Sequence, residues 1–260
     1  MGQKINPFSF RLGITKNWNS RWAPRKNYRA MLEEDLLIRR IIDERIKPAG
    51  IVNVEIERGT RETYRVYIKA AKPGLIIGRG GKGVEDLATA IDAALFALRQ
   101  KRNRMKKREG REVKEEKPQV NITIDELKRS DIAAQYVAQS IAWEFERRQP
   151  FRRTIKKALE NILQNRDIQG AKIKVSGRLD GNEIARREQV AKGKLPLQTL
   201  RANIDYGQAT AYNAYGTVGI KVWIYRGEIF TKETGAPSLR ETARRVEPRL
   251  PTVRRTSRRT

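Results

Sequence analysis

Apolar positions along this chain switch between two periods, one of three to four residues and one of two, and the switches mark its elements. In residues 31–47, Leu32, Leu36, Leu37, Ile41, Ile42 and Ile46 recur at helical spacing, and Pro48 with Gly50 ends the run. That pattern predicts an amphipathic helix with a basic outer face. Strict alternation follows: Val52, Val54 and Ile56 within 51–57, then Tyr64, Val66, Ile68 and Ala70 within 63–70. The Arg58-Gly59-Thr60-Arg61 step between them predicts an antiparallel hairpin. Pro73 cannot donate to a ladder, so Gly74 to Ile77 reads as a single helical turn. Val84, Leu87, Ile91, Ala94, Leu95 and Leu98 give the stripe of a second long helix, and Val120, Ile122 and Ile124 a third strand.

A second unit is expected from about residue 128 to 230, after a first from 31 to 127. Ser130 with Asp131 resembles a helix start, and Ile132, Tyr136, Val137, Ile141 and Phe145 give an apolar face running to about Arg148. Pro150 breaks it, and a further helix carries Phe151, Ile155, Leu159 and Ile162. Alternation in 171–178, 199–206 and 217–226, with a short strand around 188–192, predicts an antiparallel sheet with two helices on one face. The fold class is therefore α+β. Residues 1–30 show no sustained period but contain Phe8, Phe10, Trp18, Trp22 and Tyr28. Unordered tails are poor in aromatics, so this stretch reads as a basic arm draped over something else. Residues 231–260, rich in Pro, Thr and Arg, read as a basic tail that is disordered until it meets a partner.

Charge narrows the class of partner. Lys and Arg number 56 against 30 Asp and Glu, a net charge of +26 in 260 residues. A surplus of that size repels itself and calls for neutralisation by nucleic acid or an anionic membrane. No apolar run approaches the ~20 residues that span a bilayer, and the first residues have no signal-peptide core. The expected partner is thus a nucleic acid in the cytoplasm or an equivalent compartment, with no membrane. Cysteine and histidine are both absent, which removes thiolate chemistry, the commonest general base and the commonest metal ligand. No cofactor and no catalytic or metal-binding residue is expected.

Within the first unit, Gly78-Arg79-Gly80-Gly81-Lys82 leaves bare main chain beside two cations. Gly78, Gly80 and Gly83 formally match a dinucleotide fingerprint, but that motif needs a buried strand immediately before it and an acidic strand end ~20 residues on. A phosphate-binding P-loop fails too, because Lys82 is followed by Gly83 rather than Ser or Thr. A G-x-x-G loop between two helices remains, the clamp with which KH domains hold about four nucleotides. In the second unit Arg152, Arg153, Lys156 and Lys157 crowd the first turns of one helix at i, i+3 and i, i+4 spacings, where like charges repel unless an anion intervenes. Only Glu160, Glu144 or Glu146 would offset them locally. Residues 99–117 are almost wholly charged and read as an insertion outside any core, either solvated or lying on RNA.

Several motifs resemble the bacterial form of the small-subunit ribosomal protein S-three family. They include Arg11-Leu12-Gly13-Ile14, Pro73-Gly74-Leu75-Ile76-Ile77-Gly78, Glu146-Arg147-Arg148, Phe151-Arg152-Arg153, Val175-Ser176-Gly177-Arg178 and Ile204-Asp205-Tyr206, in order along the chain. The resemblance implies a type II KH domain followed by a C-terminal α+β domain, a structural place in the head of the small ribosomal subunit, and no enzymatic activity. It further implies binding to ribosomal RNA, contact with neighbouring head proteins S-ten and S-fourteen, and a position on the channel by which messenger RNA enters. Arg152, Arg153 and Lys156 match family positions that face the incoming messenger and assist its unwinding. The nucleic-acid-binding candidates are Gly78, Arg79, Gly80, Gly81, Lys82, Arg147, Arg148, Arg152, Arg153, Lys156 and Lys157. Gly80 stands where the family often has lysine, and Asn6 and Gln198 where it often has histidine. Two other classes are a nuclease using Asp180, Glu183 and Glu188 with Mg²⁺, and a free KH regulator of RNA.

Overall fold

A computed structural model describes residues 4–23, 27–59, 63–108, 118–127 and 132–230. The order of elements in the first unit is β1 (Ser20–Arg21), α2 (Tyr28–Ile46), β2 (Ile51–Arg58), β3 (Thr63–Ala70), α3 (Pro73–Ile77), α4 (Lys82–Arg108) and β4 (Gln119–Glu126), with α1 (Pro7–Phe10) before them. The sheet order is β1-β2-β3-β4. β2 and β3 pair antiparallel as the hairpin pattern predicts, and β4 lies parallel to β3 with Tyr64 beside Val120 and Ile68 beside Ile124. A parallel return of this kind needs a crossover, which α3, the glycine loop and α4 supply. Their apolar sides close the core on Ile56, Val66 and Ile68 through Leu87, Ile91 and Leu95.

Helix α2 sits differently from its pattern. Leu32 and Leu36, assigned to the buried stripe, are exposed, and Ile38, Ile42 and Ile46 carry the contact. One turn earlier on the same face stand Glu34 and Asp35, buried although charged. They are held by Arg58, whose Nη1 lies 2.8 Å from Glu34 and Nη2 2.6 Å from Asp35. The Tyr64 hydroxyl donates to Glu34 at 2.6 Å, and the Trp22 indole to Asp35 at 2.7 Å. Buried carboxylates persist only when paired and hydrogen-bonded in this way. Burial opposes ionisation of Glu34, but the Tyr64 hydroxyl and the Arg99 and Arg58 guanidiniums outweigh it and hold the carboxyl below the usual range. Burial and the same carboxylate push the Tyr64 phenol far up.

Residues 99–117 also depart from expectation at their start. Helix α4 continues to Arg108, and Arg99 and Arg102 each reach Glu34 at 3.3 Å. Part of the charged stretch therefore anchors the core instead of lying outside it. Residues 109–117 are outside the described ones.

The second unit comprises α5 (Ala134–Glu146), α6 (Phe151–Leu163), β5 (Gly170–Gly177), β6 (Arg186–Gly193), β7 (Ala202–Asn213) and β8 (Gly216–Glu228), with an antiparallel sheet of order β6-β5-β8-β7. Both helices pack on one face, through Ile141, Phe145, Ile155 and Ile162 against Ile173, Val175, Ile220 and Val222. The buried side of α5 is Ala134, Ala138, Ile141, Ala142 and Phe145; of the predicted line Ile141 and Phe145 are in the core, Ile132 and Val137 pack against it half-buried, and Tyr136 stands outside it. The small residues let the helix approach β7 so closely that a Cβ on Gly207 would lie 2.3 Å from the Ala134 carbonyl. Asp205 Oδ2 accepts the Ala134 N–H at 2.8 Å and so caps α5 from across the gap. Ser130 and Asp131, read as the helix start, lie outside the described residues. Tyr136 instead packs on Gly50, and Gln139 donates to the Ile51 carbonyl at 3.1 Å, joining the two units.

β7 begins at Ala202, later than predicted, and Leu200 is exposed. Ala202 and Ile204 form a small cluster with Tyr225 on the sheet face away from the helices. Over that cluster lies part of the N-terminal stretch, which packs on the protein itself, while Ile5, Ile14 and Trp18 stay exposed. Asn6 caps α1, and the fully buried Arg11 donates to the carbonyls of Ala202, Pro7, Leu197 and Thr199 at 2.8–3.1 Å. Further along, β1 pairs in parallel with β2.

Candidate nucleic-acid interface

The glycine loop is built by its backbone. Gly78, Gly80 and Gly81 have φ of 69°, 64° and 83°, a region that costs other residues strain. α3 stops at Gly78, a single 3-10 turn covers Arg79–Gly81, and α4 starts at Lys82. Gly83 was not singled out by its spacing with the clamp. A Cβ there would lie 2.4 Å from the Ile76 carbonyl oxygen, so its bareness is what lets α4 fold back onto α3. Nothing lies within 4 Å of the position a Cβ would take at Gly80 or Gly81. Arg79 and Lys82 are exposed beside them. The loop therefore presents open main chain flanked by two cations, with Leu75 and Ile77 exposed on the helix before it. Main-chain N–H groups at such a turn suit phosphate oxygens.

The second group of candidates surrounds the elbow between α5 and α6. Arg147 and Arg148 are exposed at the end of α5. Arg148 takes a left-handed φ of 59° and lines a cleft of about 430 Å³ shared with Phe151, Arg178, Tyr212 and Tyr215. Phe151, Thr154, Ile155, Leu159 and Ile162 bury one side of α6, which leaves Arg152, Arg153, Lys156 and Lys157 on the other. Lys157 is set apart from the first three: it borders a cleft of about 340 Å³ at the junction of the units, with Ala71, Tyr136 and Glu144. The one carboxylate that reaches this group among the described residues is Glu188 on β6, 3.3 Å from Arg152. None of the nearby-in-sequence acids considered for that role does so. Glu146 is engaged elsewhere, accepting the Tyr212 N–H at 3.1 Å.

The loop belongs to the first unit and the α6 cations to the second, so the candidates form two surfaces. Among the described residues no group of three or more acidic side chains is placed to hold a metal ion, and Glu188 of the nuclease reading is committed to Arg152. No helix among them is long and apolar enough to cross a membrane.

A helix, loop and helix with this geometry on a three-stranded core sheet define a KH-type RNA-binding protein. Comparison with known proteins agrees. The KH domain family matches residues 37–132, and the family described as ribosomal protein S3, C-terminal domain, matches residues 141–224. The small ribosomal subunit protein uS3 of Persephonella marina is 40% identical over 254 residues, 97% of this chain and 100% of that protein. Its counterpart in Syntrophomonas wolfei is 44% identical over 237 residues, covering 91% of this chain and 94% of the relative. That of Desulfitobacterium hafniense is 43% identical over 229 residues, covering 88% and 94%. The chain belongs to the uS3 family of small ribosomal subunit proteins, a family of structural ribosomal proteins and not of enzymes.

Proposed function

We propose that this protein is built into the head of the small ribosomal subunit, binds ribosomal RNA there, and lines the channel by which messenger RNA enters. The observation that carries the messenger role is the outward face of α6. Arg152, Arg153 and Lys156 are exposed on a helix whose other side is fixed in the core, with a single described ion pair among them. Rigid presentation of exposed, mostly unpaired cations suits capture of a moving phosphate backbone, because the attraction is independent of sequence. Arg147 and Arg148 extend the same surface around the elbow. The loop at Gly78–Lys82 serves as a second grip on single-stranded RNA.

On this reading the protein unwinds nothing by itself. One strand of a structured messenger is held electrostatically while translocation, driven by translation factors, pulls the duplex apart. The neighbours in the subunit head are proteins S-ten and S-fourteen, and the setting is the cytoplasm or an organelle with its own ribosomes. The test is translation by reconstituted ribosomes carrying Arg152→Ala, Arg153→Ala and Lys156→Ala. Slowing should be greater on a messenger with a stable hairpin than on an unstructured one. Equal slowing on both overturns the unwinding role.

A further inference from the structure

The second sheet has a side that the helices do not use. Ile173, Val175, Ile220 and Val222 point under α5 and α6, so the residues alternating with them point the other way. On β5 these are Lys172, Lys174 and Ser176, and on β8 Gly219, Lys221, Trp223 and Tyr225. The register sets Lys174 directly across from Lys221, and Arg187 of β6 across from Ser176. Like charges directly opposite on neighbouring strands destabilise a sheet, and here a third lysine stands two residues along β5. Lys172 is pressed further: burial and the nearby charges of Lys4 and Lys174 lower its ammonium pKa. No acidic residue stands directly across from these lysines; the outward acid in the strand register, Glu228, pairs with Ala202 at the other end of the face. The acids nearest in the strands turn inward, Glu188 to Arg152 and Asp205 to the Ala134 N–H. Among the described residues no carboxylate pairs with Lys172, Lys174, Lys221 or Arg187. Beside the cations lie Tyr206 and Trp223, half-buried with ring centres 5.5 Å apart, and Lys172 Nζ is 6.0 Å from the Trp223 ring.

We infer that this open sheet face, centred on Lys172, Lys174 and Lys221 beside Trp223, is a docking plate for the phosphate backbone of ribosomal RNA. Charge complementarity selects a polyanion, since three mutually repelling lysines on a rigid sheet gain most from a ligand of repeated single charges. The sheet itself separates the plate from α6, so RNA on one face is not the strand on the other. The N-terminal stretch and Leu195 with Leu197 cover the end of the face at Ala202, Ile204 and Tyr225 and reach Trp223, while Lys172 and Lys174 stay half-exposed and Lys221 exposed. The inference rests on membership of a ribosomal family and not on the messenger role of α6.

The full chain carrying Lys172→Gln, Lys174→Gln and Lys221→Gln is titrated by filter binding against naked small-subunit ribosomal RNA over a series of salt concentrations. Each lost contact should make the log–log salt slope shallower by roughly 0.7–0.9, so the triple variant should lose roughly 2 in slope. Its thermal unfolding should be unchanged or occur at higher temperature, because the repulsion goes with the charges. An unchanged slope overturns the inference. The chain contains no cysteine, so Lys221→Cys gives a unique attachment point for an iron chelate that cleaves RNA nearby in reassembled subunits carrying messenger. Cuts in ribosomal RNA are expected. Cuts in messenger alone, or in neither RNA, overturn the assignment, the latter pointing to a protein neighbour on the plate. In reassembled subunits the α6 variant should leave the cuts from Lys221→Cys in ribosomal RNA unchanged, which keeps the two readings separable.

Discussion

The two units of this chain solve the same problem, a sheet backed by helices that must face a polyanion, with opposite materials. In the first, charge is drawn inside: Glu34 and Asp35 are buried, with Arg58 and Arg99 partly covered, where the helices meet the sheet, and the glycine loop presents bare backbone at Gly78, Gly80 and Gly81. In the second, the interior is apolar, and charge stands outside on α6 and on β5 and β8. The difference teaches where each surface gets its rigidity. A glycine loop has little of its own, and it is fixed by the helices on either side; the ion network ties α4 to α2, β2 and β3 through Arg99 and Arg102. Cations on α6 need only a helix with a well-packed inner side.

The largest effect should come from breaking the inner charge. Arg58→Met leaves Glu34 and Asp35 buried without their main partner, and loss of one member of such a group costs about 3–5 kcal/mol. Ile173→Val in the second core should cost only about 0.5–1.5 kcal/mol. Urea unfolding of the two variants checks the order, and near-equal losses would show that water reaches the network. Acid sharpens the same contrast. Because the Glu34 pKa is lowered in the folded state, its contribution is complete above the ordinary carboxylate pKa and is lost as pH falls toward the lower folded value. Asp43 and Asp92, pushed up mainly by burial, act in the opposite sense, so the informative quantity is wild type minus Glu34→Gln. That difference should shrink as pH falls below the ordinary carboxylate range.

A smaller change separates the two proposed RNA surfaces. Gly80→Asn places a neutral side chain in open space at φ 64°, with strain of about 1 kcal/mol, which Asn tolerates better than most. The protein should stay folded while RNA affinity falls by roughly tenfold, about 1.4 kcal/mol. That deficit should persist as salt rises, because it comes from a spoiled backbone cradle. The deficit from Arg152→Gln, Arg153→Gln and Lys156→Gln should fade with salt, because counterion release carries it. Parallel salt dependences for the two would erase the distinction.

Why some of this could be read from sequence and some not follows from the same contrast. Alternation and helical spacing gave the element order from α2 onward and both sheets except the edge strand β1, since those signals come from apolar residues meeting a single core. The glycine loop was legible because Pro73 and the glycines restrict backbone locally. Helix α2 was misread at its first turns: a periodicity search looks for Leu32 and Leu36, whereas Glu34 and Asp35 are buried only because Arg58, Tyr64 and Arg99 arrive from far along the chain. The burial of Arg11 is illegible for a similar reason, its four acceptors being carbonyls that carry no side-chain signature. Alanines on α5 gave a weak apolar signal, and the matching Gly207 that makes them useful lies about 70 residues away. Glu188 lies 36 residues from Arg152 and so was missed as its partner.

That last pair gives the finest test of how the α6 surface is tuned. Arg152 and Glu188 meet at 3.3 Å, but the Arg152 side chain is 71% exposed, so solvent screens the attraction and the pair should contribute about 0–1 kcal/mol to stability. Glu188→Gln should therefore leave unfolding nearly unchanged. Its effect should fall on binding: Arg152 is released toward RNA and one repelling charge leaves the edge of the surface. Affinity for single-stranded RNA should rise by roughly twofold at low salt, with the gain vanishing as the Debye length shortens. If affinity falls instead, Glu188 is a positioning residue that holds Arg152 outward, and Glu188→Ala should then lose as much as Arg152→Ala. The two outcomes distinguish a cationic face that works by total charge from one that depends on a fixed side-chain geometry.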